Sequence, residues 1–251
     1  MKRLVLFDID ETMISSDGAG RRAIARVLNE HYGVPEEAMK IPMSGKTDPQ
    51  ILREIFRSCG KEQTFEGATT EILDLYLGVL EEEIQRSRYY IVHEGVLELL
   101  EQLVAEEKAY LGLLTGNIQR GAHMKLHRFD LVKYFAIGAY GSDSHNRLDL
   151  PKVAHDRALD HFGIDFAPDE IVIIGDAVND VLCAKGYGAI SIAVNTGKTS
   201  WAELEEQKPD FLFQSLKDTE QLMGAIFSHS SPRQQSKSGA AAGFEQTKRE
   251  A

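Results

Sequence analysis

The segment Leu4–Thr12 reads LVLFDIDET, an apolar run followed closely by two aspartates. A short continuous apolar run of this kind is typical of a strand buried on both faces of a parallel sheet. Further runs of the same type occupy residues 110–114, 171–174 and 190–194, with shorter candidates at residues 135–138 and 211–213. We therefore expect a sheet whose first strand ends at Asp8.

Amphipathic helical patterns separate these runs. Apolar residues recur at helical spacing between Val96 and Val104 and again between Val153 and Phe162. Strands that alternate with helices predict a doubly wound α/β fold with a parallel sheet and right-handed crossovers.

The interval between the first two strands is too long for a single crossover. Residues 16–89 show helical apolar spacing, interrupted by turn segments such as Ser44–Pro49. We predict an α/β core domain at residues 1–15 and 90–227, an inserted helical cap domain at 16–89, and a disordered tail at 228–251. An insertion that leaves from the carboxyl edge of the sheet would lie above the ligand crevice.

Composition excludes several classes of protein. Acidic residues outnumber basic ones, 39 to 28, and a net charge of −11 disfavours binding to nucleic acid or to anionic membranes. The two cysteines are too few for a disulfide scaffold. No signal-peptide core or membrane-spanning run is apparent. We expect a soluble cytoplasmic protein, a monomer or homodimer, whose partner is a small molecule.

Side chains capable of chemistry follow the predicted strands at their carboxyl ends. They are Asp8, Asp10, Thr115, Asn117, Arg147, Lys152, Asp176 and Asp180. Each alone could be a turn residue or a helix cap. Parallel strands present their carboxyl ends side by side, so these residues should converge on one crevice. Clustered carboxylates repel one another, and a divalent cation would relieve that repulsion.

This set of residue types suits phosphoryl transfer. Carboxylate oxygens at a small open site select a hard ion such as Mg²⁺, and an aspartate can act as a nucleophile that forms an acyl phosphate. The Thr115 hydroxyl, the backbone N–H groups of Gly116 and Asn117, and an Arg or Lys could hold the phosphoryl oxygens. Asp10 could protonate the leaving oxygen and then activate water.

Three segments resemble signature motifs of the haloacid dehalogenase-like phosphatases. They are Asp8–Thr12, Leu113–Asn117 and Gly175–Asp180, and their order and spacing also match. The inserted helices resemble the cap of the phosphoglycolate phosphatase and β-phosphoglucomutase branch, and Gly45–Pro49 resembles the phosphoglycolate phosphatase side most. The resemblance covers roughly residues 3–225.

The resemblance implies a role for each matching residue. Asp8 corresponds to the nucleophile and to a Mg²⁺ ligand, and Asp10 to the general acid/base, with its backbone carbonyl as a further metal ligand. Thr115 corresponds to the phosphate-binding hydroxyl. Asp176 corresponds to the second carboxylate ligand of Mg²⁺, and Asp180 to an acid that holds metal-bound water.

The sequence departs from the family pattern at two places. Glu11 stands where the family commonly has Gly. The third motif is ambiguous, because either Arg147 or Lys152 could supply its phosphate-binding cation; Arg147 fits the Lys position, and Arg can clamp a phosphate in bidentate fashion. In the cap loop, Lys46 is either a partner for a second anionic group on the substrate or a solvated surface lysine.

These observations predict a Mg²⁺-dependent phosphatase. It would hydrolyse a small phosphorylated metabolite through a phospho-aspartyl intermediate, in the manner of phosphoglycolate phosphatase. One alternative is a β-phosphoglucomutase-like phosphotransferase, which uses the same residues. The other is a non-enzymatic phospho-acceptor signalling module, although such a module has no use for an inserted cap.

Overall fold

The apolar runs form a six-stranded parallel sheet. In the computed structural model, which describes residues 1–228, the strands are β1 Arg3–Phe7, β2 Ile14–Ser16, β3 Tyr90–Val92, β4 Ala109–Leu114, β5 Ile137–Ala139, β6 Ile171–Gly175, β7 Ile190–Val194 and β8 Phe211–Phe213. The sheet order is β5-β4-β1-β6-β7-β8, and every neighbouring pair is parallel. The predicted α/β fold with a doubly wound parallel sheet is confirmed.

Helices connect the strands. Within the described residues they are α1 Ala19–Tyr32, α2 Asp48–Ser58, α3 Glu62–Arg86, α4 Val96–Ala105, α5 Gln119–His127, α6 Leu150–Phe162, α7 Val178–Tyr187, α8 Trp201–Glu206 and α9 Thr219–Ile226. Single 3₁₀ turns lie at Glu36–Met39, Val132–Tyr134, Arg147–Asp149 and Pro168–Glu170. No helix of residues 1–228 combines the length and the hydropathy needed to cross a membrane.

Strand β1 lies in the middle of the sheet and divides the core into two layers. Its side chains alternate between the faces, as the twofold period of a strand requires. Val5 and Phe7 pack in the larger apolar cluster, whereas Leu4 and Leu6 pack on the opposite face with residues of α6. Because both faces of β1 are covered, every one of its residues is buried, which is why its sequence is continuously apolar after Arg3.

The strand register aligns the carboxyl ends of the three central strands. Phe7 pairs with Leu113 of β4 on one side and with Ile174 of β6 on the other. The backbone N–H of Asp8 continues the ladder by donating to Ile174 O at 3.0 Å. The residues that follow these strands therefore meet at one edge of the sheet.

Helices α1, α2 and α3 lie between β2 and β3 in the chain. Strands β2 and β3 pair antiparallel, with Ser16 opposite Tyr90. Neither strand is among those predicted from the sequence; the two form a two-stranded ribbon at the ends of the inserted segment. The assignment of residues 16–89 to a separate cap domain stays a prediction.

The short strand expected at residues 135–138 begins two residues later, at Ile137, and ends at Ala139. Phe135 instead ends a 3₁₀ turn. Its ring packs edge-on against that of Phe7, with the ring centroids 5.9 Å apart. The tail predicted at 228–251 lies, apart from Ser228, outside the described residues.

Candidate active site

Asp8, Thr115 and Asp176 lie side by side, each directly after a central strand. All three residues are buried, with 5%, 0% and 3% of their surface exposed. Burial on this scale is unusual for carboxylates and requires compensating partners. The structure therefore brings the residues of the three predicted motifs together.

Arg147 bridges two of the buried carboxylates. Its Nη2 lies 3.0 Å from Asp8 Oδ1 and also donates to Asp180 Oδ1. The other oxygen of Asp180 accepts the Ala177 N–H at 2.9 Å. Asp180 is thus fixed at the start of α7, and Arg147 is fixed between Asp180 and Asp8.

Lys152, the other candidate cation, lies elsewhere. Its side chain is 69% exposed and pairs with Asp156 at 2.6 Å, one turn further along α6. The structure does not bring Lys152 to the Asp8 carboxylate.

Asp8, Asp176 and Asp180 form a cluster that could hold a metal ion. Each offers an oxygen, and these atoms lie within 4.8 Å of one another. Burial raises the pKa of Asp8 to about 6 although Arg147 opposes the shift. Burial, with repulsion from Asp180 and Asp8, raises the pKa of Asp176 well above its ordinary value. One guanidinium cannot balance three carboxylates, so the cluster keeps a net negative charge on its oxygen atoms. Such a set of oxygen ligands fits a hard divalent cation.

Asp10 is held by a residue that the sequence analysis did not single out. Lys125 Nζ, on the buried face of α5, lies 2.8 and 2.7 Å from the two Asp10 oxygens and 2.6 Å from Asn117 Oδ1. Asn117 Nδ2 in turn donates to Asp10 Oδ2 at 2.7 Å. Burial alone would raise the pKa of Asp10, but the Lys125 ammonium and these hydrogen bonds outweigh it and hold the pKa below its ordinary value.

The Thr115 hydroxyl is oriented by Asn117. Its oxygen accepts from the Asn117 backbone N–H at 3.3 Å and from Asn117 Nδ2 at 2.9 Å. With both acceptor positions occupied, the hydroxyl proton remains for another acceptor, as a phosphate oxygen would require. Thr12 plays a comparable part for Asp176, donating to its Oδ1 at 3.0 Å.

The loop before α2 is docked onto the carboxyl edge of the sheet. The Asp48 N–H donates to Gly116 O at 2.8 Å, and Asp48 Oδ2 accepts the Ile118 N–H at 2.9 Å. A Cβ on Gly116 would lie 2.1 Å from Lys46 O, so only glycine permits this approach. The Lys46 ammonium pairs with Glu54 Oε2 at 2.5 Å.

Glu11, where the sequence departs from the family pattern, has a left-handed backbone. Its φ is +60°, a conformation that glycine adopts freely and other residues adopt at a cost of about 1 kcal/mol. This explains why a glycine is usual at the corresponding place. The Glu11 carboxylate accepts from Ser15 Oγ at 3.3 Å.

A cavity of about 320 Å³ lies between the sheet edge and helices α1 to α3. The motif side of its lining includes Asp8, Asp10, Thr115, Asn117, Lys125, Arg147 and Asp176. The opposite side includes Ile24, Met43, Lys46, Ile51 and Tyr76. A cavity that joins the polar motif residues to apolar side chains such as Ile24, Met43 and Ile51 is typical of a small-molecule site.

The fold and the site together define an α/β enzyme with an acidic site at the carboxyl edge of its sheet. The haloacid dehalogenase-like hydrolase family matches residues 5–194. The chain therefore belongs to that family.

Individual relatives agree with this assignment. The chain is 27% identical over 217 residues to a Caldanaerobacter subterraneus sequence with the provisional name pyrophosphatase PpaX, covering 84% of this chain and 90% of that one. It is 25% identical over 222 residues to phosphoglycolate phosphatase 1 of Pseudomonas aeruginosa, covering 87% and 78%. The Clostridium difficile β-phosphoglucomutase structure covers 90% of this chain and 97% of its own, with a TM-score of 0.71 at 15% identity, and so shows the fold alone. The predicted haloacid dehalogenase-like enzyme of the phosphatase type is confirmed.

Proposed function

We propose that this protein is a Mg²⁺-dependent phosphomonoesterase that hydrolyses a small phosphorylated metabolite through a phospho-aspartyl intermediate, as expected for a phosphoglycolate phosphatase-like enzyme. The observation that carries the proposal is the placement of Asp8. Its buried carboxylate faces Arg147 at 3.0 Å and lies beside Asp176, and Asp10 is two positions further along the chain.

In the first step an Asp8 oxygen attacks phosphorus. The bond between phosphorus and the leaving oxygen breaks, and Asp10 gives that oxygen a proton. Arg147 and the Thr115 hydroxyl are placed to hold the phosphoryl oxygens as their charge develops. The product is an acyl phosphate on Asp8 and a free alcohol.

In the second step water attacks the same phosphorus. Asp10, now ionised, takes a proton from the water, the bond between Asp8 and phosphorus breaks, and inorganic phosphate leaves. The Lys125 ammonium favours the ionised carboxylate of Asp10, which makes protonated Asp10 a stronger acid in the first step and keeps Asp10 ionised as the base of the second.

Asp8, Asp176 and the backbone carbonyl of Asp10 would hold the Mg²⁺ ion. An ion held by these oxygens would neutralise negative charge on Asp8 and on the substrate phosphate, so that the carboxylate could approach the phosphate. The Asp180 carboxylate already contacts Arg147 and the Ala177 N–H, and it would hold a water molecule bound to the metal.

The two alternatives have weaker support. The family match makes the chain an enzyme, which leaves no support for a phospho-acceptor signalling module. A mutase has support only from a shared fold at low identity. The cytoplasmic location and the monomeric or dimeric state stay predictions from the sequence.

Acetyl phosphate tests the mechanism directly, because its acetate leaving group needs no proton. With Mg²⁺ present, the wild-type protein should release phosphate. Asp10→Asn should accumulate a covalent phosphoryl adduct visible by intact-mass measurement, because hydrolysis lacks its base. Asp8→Asn should show neither adduct nor turnover while keeping its circular dichroism spectrum.

Asp156→Asn is the matched control, since Asp156 is exposed and lies outside the cavity. It should behave like the wild type. An adduct on folded Asp8→Asn, or its turnover at the wild-type rate, would contradict the assignment of Asp8 as nucleophile.

A further inference from the structure

Tyr76 carries a buried hydroxyl that no described group satisfies. The residue lies on α3, is 1% exposed and lines the cavity. Its Oη has no hydrogen-bond partner among residues 1–228. Buried tyrosine hydroxyls normally find a partner, because leaving one unpaired costs free energy. The Tyr76 hydroxyl therefore lacks a partner that a ligand in the adjoining cavity could supply.

The surroundings of Tyr76 leave room for a ligand. Gly20 of α1 lies against it: a Cβ there would be 3.6 Å from Tyr76 Oη and 3.4 Å from Lys125 Nζ. Glycine thus keeps this part of the wall free of a side chain. The same glycine faces the Lys125 ammonium, which holds Asp10, the predicted proton donor to the leaving oxygen.

The charge of the cavity decides what kind of group can bind beside Tyr76. Five cationic side chains line it: Arg21, Lys46, Lys125, Arg147 and Lys198. Lys198 is exposed and interacts electrostatically with Glu11. Arg21 donates to the backbone oxygens of Met39 and Ile41.

The remaining three cations are ion-paired. Lys46 pairs with Glu54, Lys125 with Asp10, and Arg147 with two aspartates. The three protons of Lys125 all point at Asp10 and Asn117 oxygens. Lys125, the cation that faces Gly20 together with Tyr76, is therefore already committed to Asp10 and Asn117.

The electrostatic field at the Tyr76 hydroxyl is negative. After burial itself, the carboxylates of Asp48 and Asp10 contribute most to raising the pKa of Tyr76 well above its ordinary value. The hydroxyl is therefore neutral at physiological pH, able both to donate and to accept. A second anionic group would be repelled here, whereas a neutral hydroxyl would complete the missing hydrogen bond.

We propose that Tyr76 is a specificity-determining residue whose hydroxyl binds an uncharged hydroxyl on the leaving group, so that the preferred substrates are phosphate monoesters of small polyols. This inference rests on the proposed phosphatase activity and adds the chemical class of its substrate. The apolar wall formed by Ile24, Met43 and Ile51 would contact the carbon chain of the same leaving group.

The test uses two esters that differ only in hydroxyl groups, glycerol 3-phosphate and n-propyl phosphate. The wild-type protein should favour glycerol 3-phosphate in kcat/KM by about tenfold or more, since a site built to bind a hydroxyl discriminates against its absence. Tyr76→Phe, which removes one oxygen and keeps the ring, should lose most of that preference through a raised KM for glycerol 3-phosphate. Its rate with n-propyl phosphate should stay near the wild-type value.

Stability supplies a second readout. Because the Tyr76 hydroxyl is unpaired in the protein alone, Tyr76→Phe should melt at the same temperature as the wild type or higher. Tyr32→Phe is the matched control: it removes a hydroxyl from α1, outside the cavity, and should leave the preference between the esters unchanged.

The outcomes separate this inference from the proposed function. If the wild type hydrolyses neither ester nor acetyl phosphate, the proposed function fails. If it hydrolyses both esters without preference, or if the preference survives in Tyr76→Phe, the role of Tyr76 is wrong. A preference for 2-phosphoglycolate over both neutral esters that is lost in Lys46→Ala and kept in Tyr76→Phe would also overturn it, in favour of Lys46 as the anion partner.

Discussion

Arg147 compensates two buried carboxylates at the predicted nucleophile, those of Asp8 and Asp180. With Asp8 at 3.0 Å and Asp180 also in contact, its guanidinium fixes their relative positions, and the two aspartates in turn raise the pKa of Arg147 against the effect of burial. Such an ion pair contributes little net stability, but removing one partner leaves a buried charge uncompensated.

We therefore predict that Arg147→Ala lowers kcat/KM by on the order of 10²-fold or more. Lys152→Ala should be nearly silent, because its exposed side chain pairs only with Asp156. Arg147→Ala could also destabilise the fold, because it leaves two buried carboxylates uncompensated. Arg147→Lys is the second variant to measure, since it keeps the charge but not the bidentate geometry. It should recover stability and part of the activity. Inactive Lys152→Ala with active Arg147→Ala would show that Lys152 is the phosphate-binding cation.

Lys125, the partner of Asp10, is a residue of the candidate site that the sequence did not predict. The predicted residues were identified because each follows an apolar strand, and Lys125 follows none. It lies inside α5, where the other buried residues are Gly121, Ala122 and Leu126. A lysine on the apolar face of a helix is a usable signal, because such a charge is rarely buried without a partner. Its partner, Asp10, is distant in sequence and could not be named beforehand.

Among the elements, buried parallel strands were predictable and short edge pairings were not. β1, β4, β6 and β7 are continuous apolar runs because both faces of each are covered. By contrast, β2 and β3 have only three residues each, and their sequences, Ile-Ser-Ser and Tyr-Ile-Val, share no pattern. Their pairing depends on how helices α1 to α3 pack, which local sequence does not encode.

The junction between the α2 loop and α5 gives a prediction about pH. Burial raises the pKa of Asp48 to about 6, against an ordinary value of 3.8. Because the folded state binds this proton more tightly than the unfolded state, ionised Asp48 costs stability above about pH 6, and the cost disappears as the pH falls below the ordinary value. From the size of the shift, the cost is on the order of 1–3 kcal/mol.

Asp48→Asn should remove that cost, since its amide oxygen can still accept the Ile118 N–H. Urea unfolding at about pH 7.5 should show the variant more stable than the wild type, with a difference that shrinks at about pH 5. Other titrating groups, such as Asp8 and Asp176, contribute equally to both proteins and cancel in this comparison. A variant less stable at both pH values would mean that the charge of Asp48 strengthens the junction.

For the whole molecule, the acidic cluster predicts that metal binding and stability are linked. An ion bound by the folded state alone raises the free energy of unfolding by about 1.4 kcal/mol for each tenfold excess of its concentration over its dissociation constant. For a chain of this size that corresponds to roughly 2–4 °C per kcal/mol. Mg²⁺ should therefore raise the melting temperature of the wild type, and less so at about pH 5, because burial raises the pKa values of Asp8 and Asp176 and protons then compete with the ion for these carboxylates.

Asp176→Asn should abolish this rise, and Asp156→Asn should keep it. Activity should disappear in excess chelator and return with Mg²⁺, and Ca²⁺ should restore it poorly because it takes more oxygens at longer distances. Full turnover in chelator, or an unchanged Mg²⁺ effect in Asp176→Asn, would contradict the proposed metal site.

The β2–β3 ribbon has a consequence for how such a molecule can evolve. Because Ser16 lies opposite Tyr90, the segment between them starts and ends at neighbouring residues. Everything between them can be lengthened, shortened or exchanged as a unit without altering the register of β1 with β4 and β6. Asp8, Thr115, Arg147 and Asp176 all lie outside that unit, whereas Tyr76 and Lys46 lie within it. Recombination at the ribbon would therefore keep Asp8, Thr115, Arg147 and Asp176 together. In one genetic event it would replace the residues proposed to contact the leaving group.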